Sequence, residues 1–313
     1  MRGAAPRVLV VGSYGVGFTW RMPRPPGPGE TVVADDFVVE HGGKGSNQAV
    51  AARRLGATVH LITAVGDDDF GRSAQQLWHS EGVNVTLLPS GGRPTMTGAI
   101  LVESGGENRI AIAPGALDTL GPDSFHGLDQ CFADADVSVL QMEIPADASI
   151  AALRMAKVYE VPTVLAPAPA PPAAYVPQLR GLVDHLVPNE HEAVEVCAAL
   201  TPGEVPGDRA AGLASALSSA LGCTSVVTVG KDGAWVSADG QPTRVTGLAA
   251  PVVDTTGAGD AFTAAYAVSI AEGAGPIDAA AFGCMVAAWS VQRRGVIESL
   301  PTRQEVSHQM RRA

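Results

Sequence analysis

Residues 46–82 read SNQAVAARRLGATVHLITAVGDDDFGRSAQQLWHSEG, and the order of elements in this stretch indicates the fold class. A helical apolar period over SNQAVAARRLG gives way to the β-branched run TVHLITAVG, and a second helical period follows in FGRSAQQLWHSEG. The run RVLVVGS precedes them, and VSVLQM, PTVLAP, DHLVPNE and TSVVTVG continue the alternation, each with a helix expected after it. We therefore expect an α/β fold with a mostly parallel sheet covered by helices on both faces, which places ligands at the carboxyl ends of the strands.

Two segments interrupt this alternation, namely ETVVADDFVVE at residues 30–40 and TMTGAILVESGGENRIAIA at residues 95–113. Both are typical of strands and neither has a helix of its own. We expect a small β-sheet lid, formed within about residues 12–45 and 95–113 of a single domain that spans residues 1–313. Such a lid would exclude water from a reaction that water could spoil, whereas an ordinary edge hairpin is the alternative interpretation.

Length, charge and cysteine content narrow the class of protein. A chain of 313 residues, 46% of them hydrophobic, is long enough for one large α/β domain with a buried core. The formal net charge of -11 disfavours nucleic acid and anionic membranes as partners. The cysteines lack metal-ligand spacing and are expected to be reduced; they are Cys131, Cys197, Cys223 and Cys284. Because no signal segment is recognisable, we expect a cytoplasmic location.

The segment DTTGAGD, from Asp254 to Asp260, precedes the Ala-rich helical stretch AFTAAYAVSIAEG. Unpaired backbone N–H groups in the first turn of a helix, together with the helix dipole, form a seat for an anion such as a transferring phosphate. Asp260 in that turn could accept a proton from a hydroxyl nucleophile. The competing explanation is structural: Asp260 favours the helix dipole, and Gly257 and Gly259 only turn the chain.

A second glycine-rich segment, HGGKGSN, spans His41 to Asn47 and opens the helix QAVAARRLG. Gly42 and Gly43 would let a polyhydroxylated ligand approach the backbone, and Lys44 and Asn47 supply donors for hydroxyls or a phosphate. A purely structural role, with Asn47 as a helix cap, is equally compatible with the pattern. The phosphate loop GxxxxGK[ST] of nucleotide hydrolases is absent from the sequence.

The third segment, NEHE at residues 189–192, directly follows the strand-like HLVP. Carboxylate and amide oxygens at a strand end suit Mg²⁺ on a triphosphate, usually through water, whereas Asn189 and Glu192 also match a helix capping box. The first strand ends in GSYGVG, which does not match GxGxxG and leads into PRPPGPGE rather than a helix. A dinucleotide-binding site is therefore not expected.

Together these segments resemble the ribokinase-like (PfkB) carbohydrate kinases over nearly the whole chain and in the order of that family. The resemblance rests on GGKGSNQAVAA and DTTGAGDAFTAAY, with ENRIAIAPGA, QMEIP, LAPAPA, VPNEHEA and VVTVGKDGAWV between them. It implies a three-layer α/β/α sandwich with a lid, and ATP-dependent phosphorylation of a primary hydroxyl of a sugar or sugar-like polyol. A nucleoside kinase of the same fold and a non-catalytic sugar-binding regulator are the alternatives.

The resemblance also implies roles for individual residues. It gives Asp260 as the catalytic base and the amides of Gly257, Ala258 and Gly259 as the anion hole. The positions that match the acceptor pocket, together with Asp260, are Gly42, Gly43, Lys44, Asn47 and Glu143. The positions that match the ATP and Mg²⁺ site, together with Gly257 and Gly259, are Asn189, Glu192, Thr228 and Gly230. A monovalent-cation loop, with K⁺ as the expected ion, is matched by Asp254, Thr256, Arg293, Gly295 and Ser299.

The sequence departs from the ribokinase pattern in the acceptor pocket. Where ribokinase has an Asn and an Asp after the first strand, this chain offers Tyr14, Gly15 and Gly17, which puts ribose as the substrate in doubt. Tyr14 could stack on a base, which would favour the nucleoside alternative. Ala166 and Cys284 also replace residues more usual in ribokinase. A homodimer through the lids is expected, because a small lid sheet with apolar residues such as Val32, Val33, Phe37 and Val38 is weak alone.

Overall fold

The computed structural model describes residues 4–105, 107–201 and 209–310. The strands are β1 Arg7–Val11, β2 Gly15–Met22, β3 Asp36–Gly42, β4 Thr58–Thr63, β5 Asn84–Leu87, β6 Met96–Glu103, β7 Asn108–Ala113, β8 Val137–Leu140, β9 Thr163–Leu165, β10 His185–Leu186, β11 Thr224–Thr228, β12 Gly233–Ser237 and β13 Pro242–Thr246. The α-helices are α1 Lys44–Arg54, α2 Asp69–Glu81, α3 Asp129–Ala133, α4 Ala146–Val158, α5 Glu190–Leu200, α6 Arg209–Leu221, α7 Ala258–Ala271, α8 Pro276–Ser290 and α9 Arg303–Met310.

In the described residues the large sheet has the strand order β13-β12-β11-β10-β9-β8-β1-β4-β5. In this sheet the neighbouring strands β5, β4, β1, β8, β9, β10 and β11 pair in parallel, as the alternation of strands and helices predicts. The expectation of a helix directly after TSVVTVG was wrong, because β11 is followed by β12 and β13, which pair antiparallel. Gly233 permits the chain to turn back here, since it has a φ of 98° and a Cβ on it would lie 2.4 Å from the Gly247 nitrogen.

Two apolar cores lie on opposite faces of the large sheet, and strand β1 contributes to both. Val8 and Val10 pack in the core beneath α1, α2, α7 and α8, whereas Leu9 and Val11 pack in the core beneath α3 to α6. This alternation is the period of two that a strand buried on both faces requires. The predicted three-layer α/β/α class is therefore confirmed.

A separate four-stranded sheet, the lid sheet, has the order β3-β2-β6-β7. Its strand β3 begins at Asp36, so residues 30–35 of the predicted strand lie outside it. The pairing register brings Glu40, Gly17, Gly98 and Ile112 side by side across the four strands. We call these four residues the lid row. Paired residues share a face of a sheet, so the members of the lid row point to the same side.

Strand β3 of the lid sheet continues almost directly into helix α1, with Gly43 as the one residue between them. Gly43 has a φ of 88°, and a Cβ on it would lie 2.6 Å from the Tyr14 Cα atom. Only glycine fits this junction without strain. In the described part of the chain, no helix is both long enough and apolar enough to cross a membrane.

Candidate active site

Helix α7 begins at Ala258, within the segment DTTGAGD. Gly257 is its N-cap with a φ of 77°, and Gly257 and Gly259 both line a cavity of about 230 Å³. The N–H of Ala258 donates to the Thr255 carbonyl oxygen at 3.2 Å, whereas in the described residues no such backbone partner accepts from Gly257 or Gly259. The free amides at this helix start can therefore bind an anion, with Gly257 and Gly259 better available than Ala258.

Asp260 lies in the first turn of α7, is 8% exposed and lines the same cavity. Its carboxylate accepts hydrogen bonds from Nδ2 of Asn47 at 2.8 Å and from Nε2 of Gln48 at 2.9 Å. Burial raises the pKa of Asp260, although the Lys44 charge and the two amide donors act in the opposite direction. A buried carboxylate with a raised pKa at a cavity wall is suited to accept a proton.

Lys44 begins helix α1 and also lines the cavity. Its Nζ atom lies 3.8 Å from Oε1 of Glu143, and its backbone N–H donates to Oε2 of Glu143 at 2.8 Å. Burial lowers the pKa of Lys44, but the charges of Asp260, Glu143 and Glu192 outweigh that effect and raise it overall. Lys44 therefore stays protonated and places a positive charge among three carboxylates.

Glu143 ties the start of α1 to the end of β1. Its Oε2 atom also accepts a hydrogen bond from the Ser13 hydroxyl at 2.5 Å, so Oε1 is the oxygen left to face Lys44. Sequence reasoning did not single out Ser13. The position of Ser13 at the carboxyl end of the first strand was the available signal, since ligand-site residues of parallel sheets gather at that edge.

Gln48 is a second residue that sequence reasoning missed. Its side chain lines the cavity and donates to Asp260. Its Oε1 atom accepts from Nε2 of Gln141 at 2.6 Å, and Gln141 is fully buried directly after β8. This bond fixes the amide of Gln48 with its nitrogen toward Asp260. Adjacency to Asn47 and the QMEIP segment were the signals for Gln48 and Gln141.

Asn189 and Glu192 form the capping box of helix α5. Oδ1 of Asn189 accepts from the Glu192 N–H, and Oε2 of Glu192 accepts from the Asn189 N–H, both at 2.9 Å. Both residues nevertheless line the cavity, and burial raises the pKa of Glu192. The structural and the ligand-binding interpretations are thus compatible, because Oε1 of Glu192 remains free of the cap.

The rest of the cavity wall is largely uncharged. Of the described residues that line it, Lys44 is the one cation; Thr228, Thr263, Ala166, Ala168 and Val187 complete the wall. Gly230 lies two residues beyond Thr228, at the start of a short 3-10 turn, with a φ of 52°. Asn47 and Glu143 are joined to the wall by hydrogen bonds through Asp260 and Lys44, and Gly42 and Gly43 directly precede Lys44 in the chain.

Beside the helix start, Asp254 holds the loop matched to a cation site. Oδ1 of Asp254 accepts from the N–H and hydroxyl of Thr256, at 2.9 and 2.7 Å, and Oδ2 accepts from the Gly295 N–H at 3.3 Å. The buried Ser299 hydroxyl donates to the Val296 carbonyl oxygen at 2.8 Å. The Arg293 side chain is directed elsewhere, over the Trp289 ring and toward Glu305, so only its backbone carbonyl could serve a cation.

Tyr14 does not face the cavity. It is fully buried, its hydroxyl pairs with Nδ1 of His41 at 2.7 Å, and its ring packs edge-on against Trp78. The suggestion that Tyr14 stacks on a base was therefore wrong. The apolar surroundings supplied by Trp78 explain the difference, because they bury the ring while His41 satisfies its hydroxyl.

Comparison with known proteins gives the family. Residues 6–303 match the model of the pfkB family of carbohydrate kinases. The chain is 34% identical over 301 residues to the ribokinase of Haemophilus influenzae, covering 95% of this chain and 96% of that protein. Solved structures agree. The ribokinase of Giardia lamblia superposes with a TM-score of 0.88 at 27% identity, covering 99% of both chains.

A ribokinase of Arabidopsis thaliana, solved as a complex with ribose and ATP, superposes with a TM-score of 0.83 at 28% identity, covering 97% of this chain and 98% of that one. The family match, the relatives and the cavity at the start of α7 all lead to the same conclusion. The chain belongs to the pfkB family of carbohydrate kinases, phosphotransferases that act on a sugar hydroxyl.

Proposed function

We propose that this chain transfers the γ-phosphoryl group of ATP to a primary hydroxyl of a sugar or sugar-like polyol, with Asp260 as the catalytic base. The observation that carries the proposal is the position of Asp260. Its buried carboxylate is held by Asn47 and Gln48 at the wall of a cavity that the amide-bearing Gly257 and Gly259 also line.

The base must point one lone pair at the acceptor hydroxyl. Each Asp260 oxygen accepts one amide hydrogen, from Asn47 or from Gln48, and this leaves further lone pairs toward the cavity. Two donors fix the carboxylate without neutralising it, so it can take the hydroxyl proton as the oxygen attacks phosphorus. The proton then resides on Asp260, whose raised pKa favours holding it.

Charge that develops on the transferred phosphoryl group needs positive partners. The amides of Gly257 and Gly259 and the positive end of the α7 dipole supply one set, and the Lys44 ammonium supplies another. Such preorganised donors cost little reorganisation during the reaction. We assign the phosphate site to this corner of the cavity.

Oxygen ligands near the phosphate site fit a Mg²⁺ ion. The free Oε1 of Glu192 and the amide of Asn189 are hard donors, but no cluster of three metal-ligating side chains exists in the part of the chain that the structure describes. Most ligands would therefore be phosphate oxygens and water. Bound Mg²⁺ would supply charge neutralisation of the triphosphate, and Glu192 would hold its water shell.

A K⁺ ion fits the loop beside the anion site. Asp254 supplies the negative charge, and its three hydrogen bonds shape the loop that also carries Thr256 and Gly295. We propose that Thr256, Arg293 and Gly295 supply backbone carbonyls and that Ser299 supplies a hydroxyl. The role of the ion would be to set the backbone of the adjacent Gly257.

The first acceptor to test is D-ribose, since the related Arabidopsis enzyme was solved with ribose and ATP. ADP formation would be followed in a coupled assay with ATP, Mg²⁺ and K⁺, across D-ribose, D-fructose, D-glucosamine, D-gluconate and adenosine. Turnover of a free sugar supports the proposal. Turnover of adenosine alone would give a nucleoside kinase instead, and absence of turnover with every acceptor would favour a non-catalytic sugar-binding protein.

We also propose that two copies associate through their lid sheets. Large apolar side chains are exposed on both faces of that sheet, including Phe37 at 49% and Ile110 at 56%. A four-stranded sheet with exposed apolar faces gains stability when a second copy covers it.

A further inference from the structure

The Glu40 end of the lid row lies beside a loop that is tied to the start of α7. A Cβ placed on Gly295 would lie 3.1 Å from Oε1 of Glu40, and Gly295 belongs to the loop that Asp254 ties to the start of α7. On the other face of the lid sheet, His41 contacts Tyr14 and Phe18 contacts Phe70. Tyr14 and Phe70 belong to the core beneath α1, α2, α7 and α8. The face with Glu40 is therefore the one that meets the loop beside the start of α7, the helix that carries Asp260.

Glycines leave the middle of the lid row open. A Cβ at Gly17 would meet only Cδ1 of Ile100, at 3.3 Å, and the Glu40 carbonyl oxygen, at 3.9 Å, among the described atoms. A Cβ at Gly98 would come no closer than 4.0 Å to any of them. Neighbouring strands are about 4.8 Å apart, so Gly98 and Gly17, with Ile100 at the edge, leave a strip of backbone of about the width of a sugar ring without side chains of its own.

The two ends of the lid row differ in chemistry. Ile112 at one end is 55% exposed, whereas Glu40 at the other end has a half-buried carboxylate. Among the described residues, that carboxylate has neither a hydrogen bond nor an ion pair, although Arg21 lies on the same face. Burial raises the pKa of Glu40, and the charges of Glu298 and Asp254 raise it further. Glu40 is thus a free acceptor of hydrogen bonds at the cleft.

We propose that Glu40 determines acceptor specificity by accepting hydrogen bonds from hydroxyl or amino groups of a sugar ring that lies on Gly17 and Gly98. A sugar ring has an apolar C–H face, which matches the glycine strip and Ile112, and a hydroxyl edge, which matches Glu40. Because the Glu298 carboxylate lies beside Gly295 together with that of Glu40, the site selects neutral or amino-bearing acceptors and rejects sugar acids. This proposal rests on the proposed kinase function and names the acceptor side of the same site.

The test measures kcat and KM for each acceptor of the panel with wild-type protein and Glu40→Gln. We expect KM for the preferred neutral acceptor to rise about 10-fold or more, because a charge-assisted hydrogen bond is lost. KM for ATP and kcat should change little. The ratio of kcat/KM for the preferred neutral acceptor to kcat/KM for D-gluconate should also become smaller. Asp36→Asn is the matched control, since it removes the same charge from an exposed position on the same strand and face, and its acceptor KM should stay near the wild-type value.

A second pair of variants tests the glycine strip independently. Gly98→Val places a side chain on the cleft face, and Ala99→Val places one on the opposite face of the same strand. Only the first should raise KM for the acceptor, by about 10-fold, while KM for ATP stays unchanged in both.

An unchanged acceptor KM in Glu40→Gln, or equal effects of Gly98→Val and Ala99→Val, would overturn the proposal while wild-type turnover keeps the kinase function. If wild-type protein phosphorylates no acceptor, the proposed function itself fails and this inference fails with it.

Discussion

The Nε2 atom of Gln48 lies 2.9 Å from Oδ1 of Asp260, while the Oε1 atom of the same amide accepts from Gln141. The amide of Gln48 therefore cannot turn its oxygen toward Asp260 without losing the second bond. If Asp260 is the base, as we propose, this contact makes Gln48 its positioning residue. Four predictions follow from the base and its surroundings and from the lid sheet.

Replacing Asp260 with Asn should lower kcat by about 100-fold or more, because the usual contribution of a positioned general base is lost. KM for ATP should change little, since the nucleotide contacts are elsewhere. Asp278→Asn, on the exposed first turn of α8, is the matched control and should keep wild-type kinetics. Wild-type turnover in Asp260→Asn would contradict the assignment of the base.

Replacing Gln48 with Leu removes the hydrogen bond to Oδ1 of Asp260, so that only the Asn47 amide still orients the carboxylate. We expect kcat to fall by about 10-fold, and the acid limb of the pH–rate profile to move to higher pH, because the Gln48 hydrogen bond lowers the pKa of Asp260. A role in folding alone would not move that limb. Gln75→Leu, at an exposed position of helix α2, is the control variant for both measurements.

Lys44 and the raised pKa of Asp260 give a pH prediction. The base works only when it is ionised, so kcat/KM should fall as pH drops through the Asp260 pKa, and this limb should lie above the ordinary aspartate value of about 4. Lys44→Met removes a charge that lowers that pKa, and the limb should shift to still higher pH. If the profile of Lys44→Met coincides with that of wild type, or Arg154→Met on α4 shifts it equally, the proposed coupling is wrong.

Light scattering should show a dimer at micromolar concentration if the lid sheets associate. The double variant Phe37→Asp and Ile110→Asp places charges on both faces of that sheet and should give a monomer. Val158 on α4 is 70% exposed and Ile277 on α8 is 47% exposed, so the double variant Val158→Asp and Ile277→Asp is the control. A wild-type monomer would refute the dimer.

The α/β class and the small separate sheet could be predicted from the sequence. Strand and helix periods are local signals, so they can be recognised in the sequence. In β1, for example, Val8 and Val10 face one helix layer, whereas Leu9 and Val11 face the other. The strands β12 and β13 could not be predicted in the same way. A strand that turns back on its neighbour looks, over a few residues, like one that leads into a helix.

The candidate site could be predicted only in part. Glycine-rich segments indicate where a ligand can approach the backbone, and they located Asp260 and Lys44, while the polar segment NEHE after a strand located Glu192; all three residues line one cavity. Gln48 and Ser13 were missed because their partners, Asp260 and Glu143, lie 212 and 130 positions away along the chain. Tyr14 was misjudged for a related reason. Its burial depends on Trp78, a residue 64 positions away on helix α2.

Gly43 joins a strand of the lid sheet to the helix that carries Lys44, Asn47 and Gln48. A single residue thus separates the lid sheet from the helix whose Asn47 and Gln48 hold Asp260. There is no slack loop at this connection, so any displacement of β3 would be passed on to the amides that hold Asp260. In the proposed reaction, capture of the acceptor and alignment of the base would then be mechanically coupled.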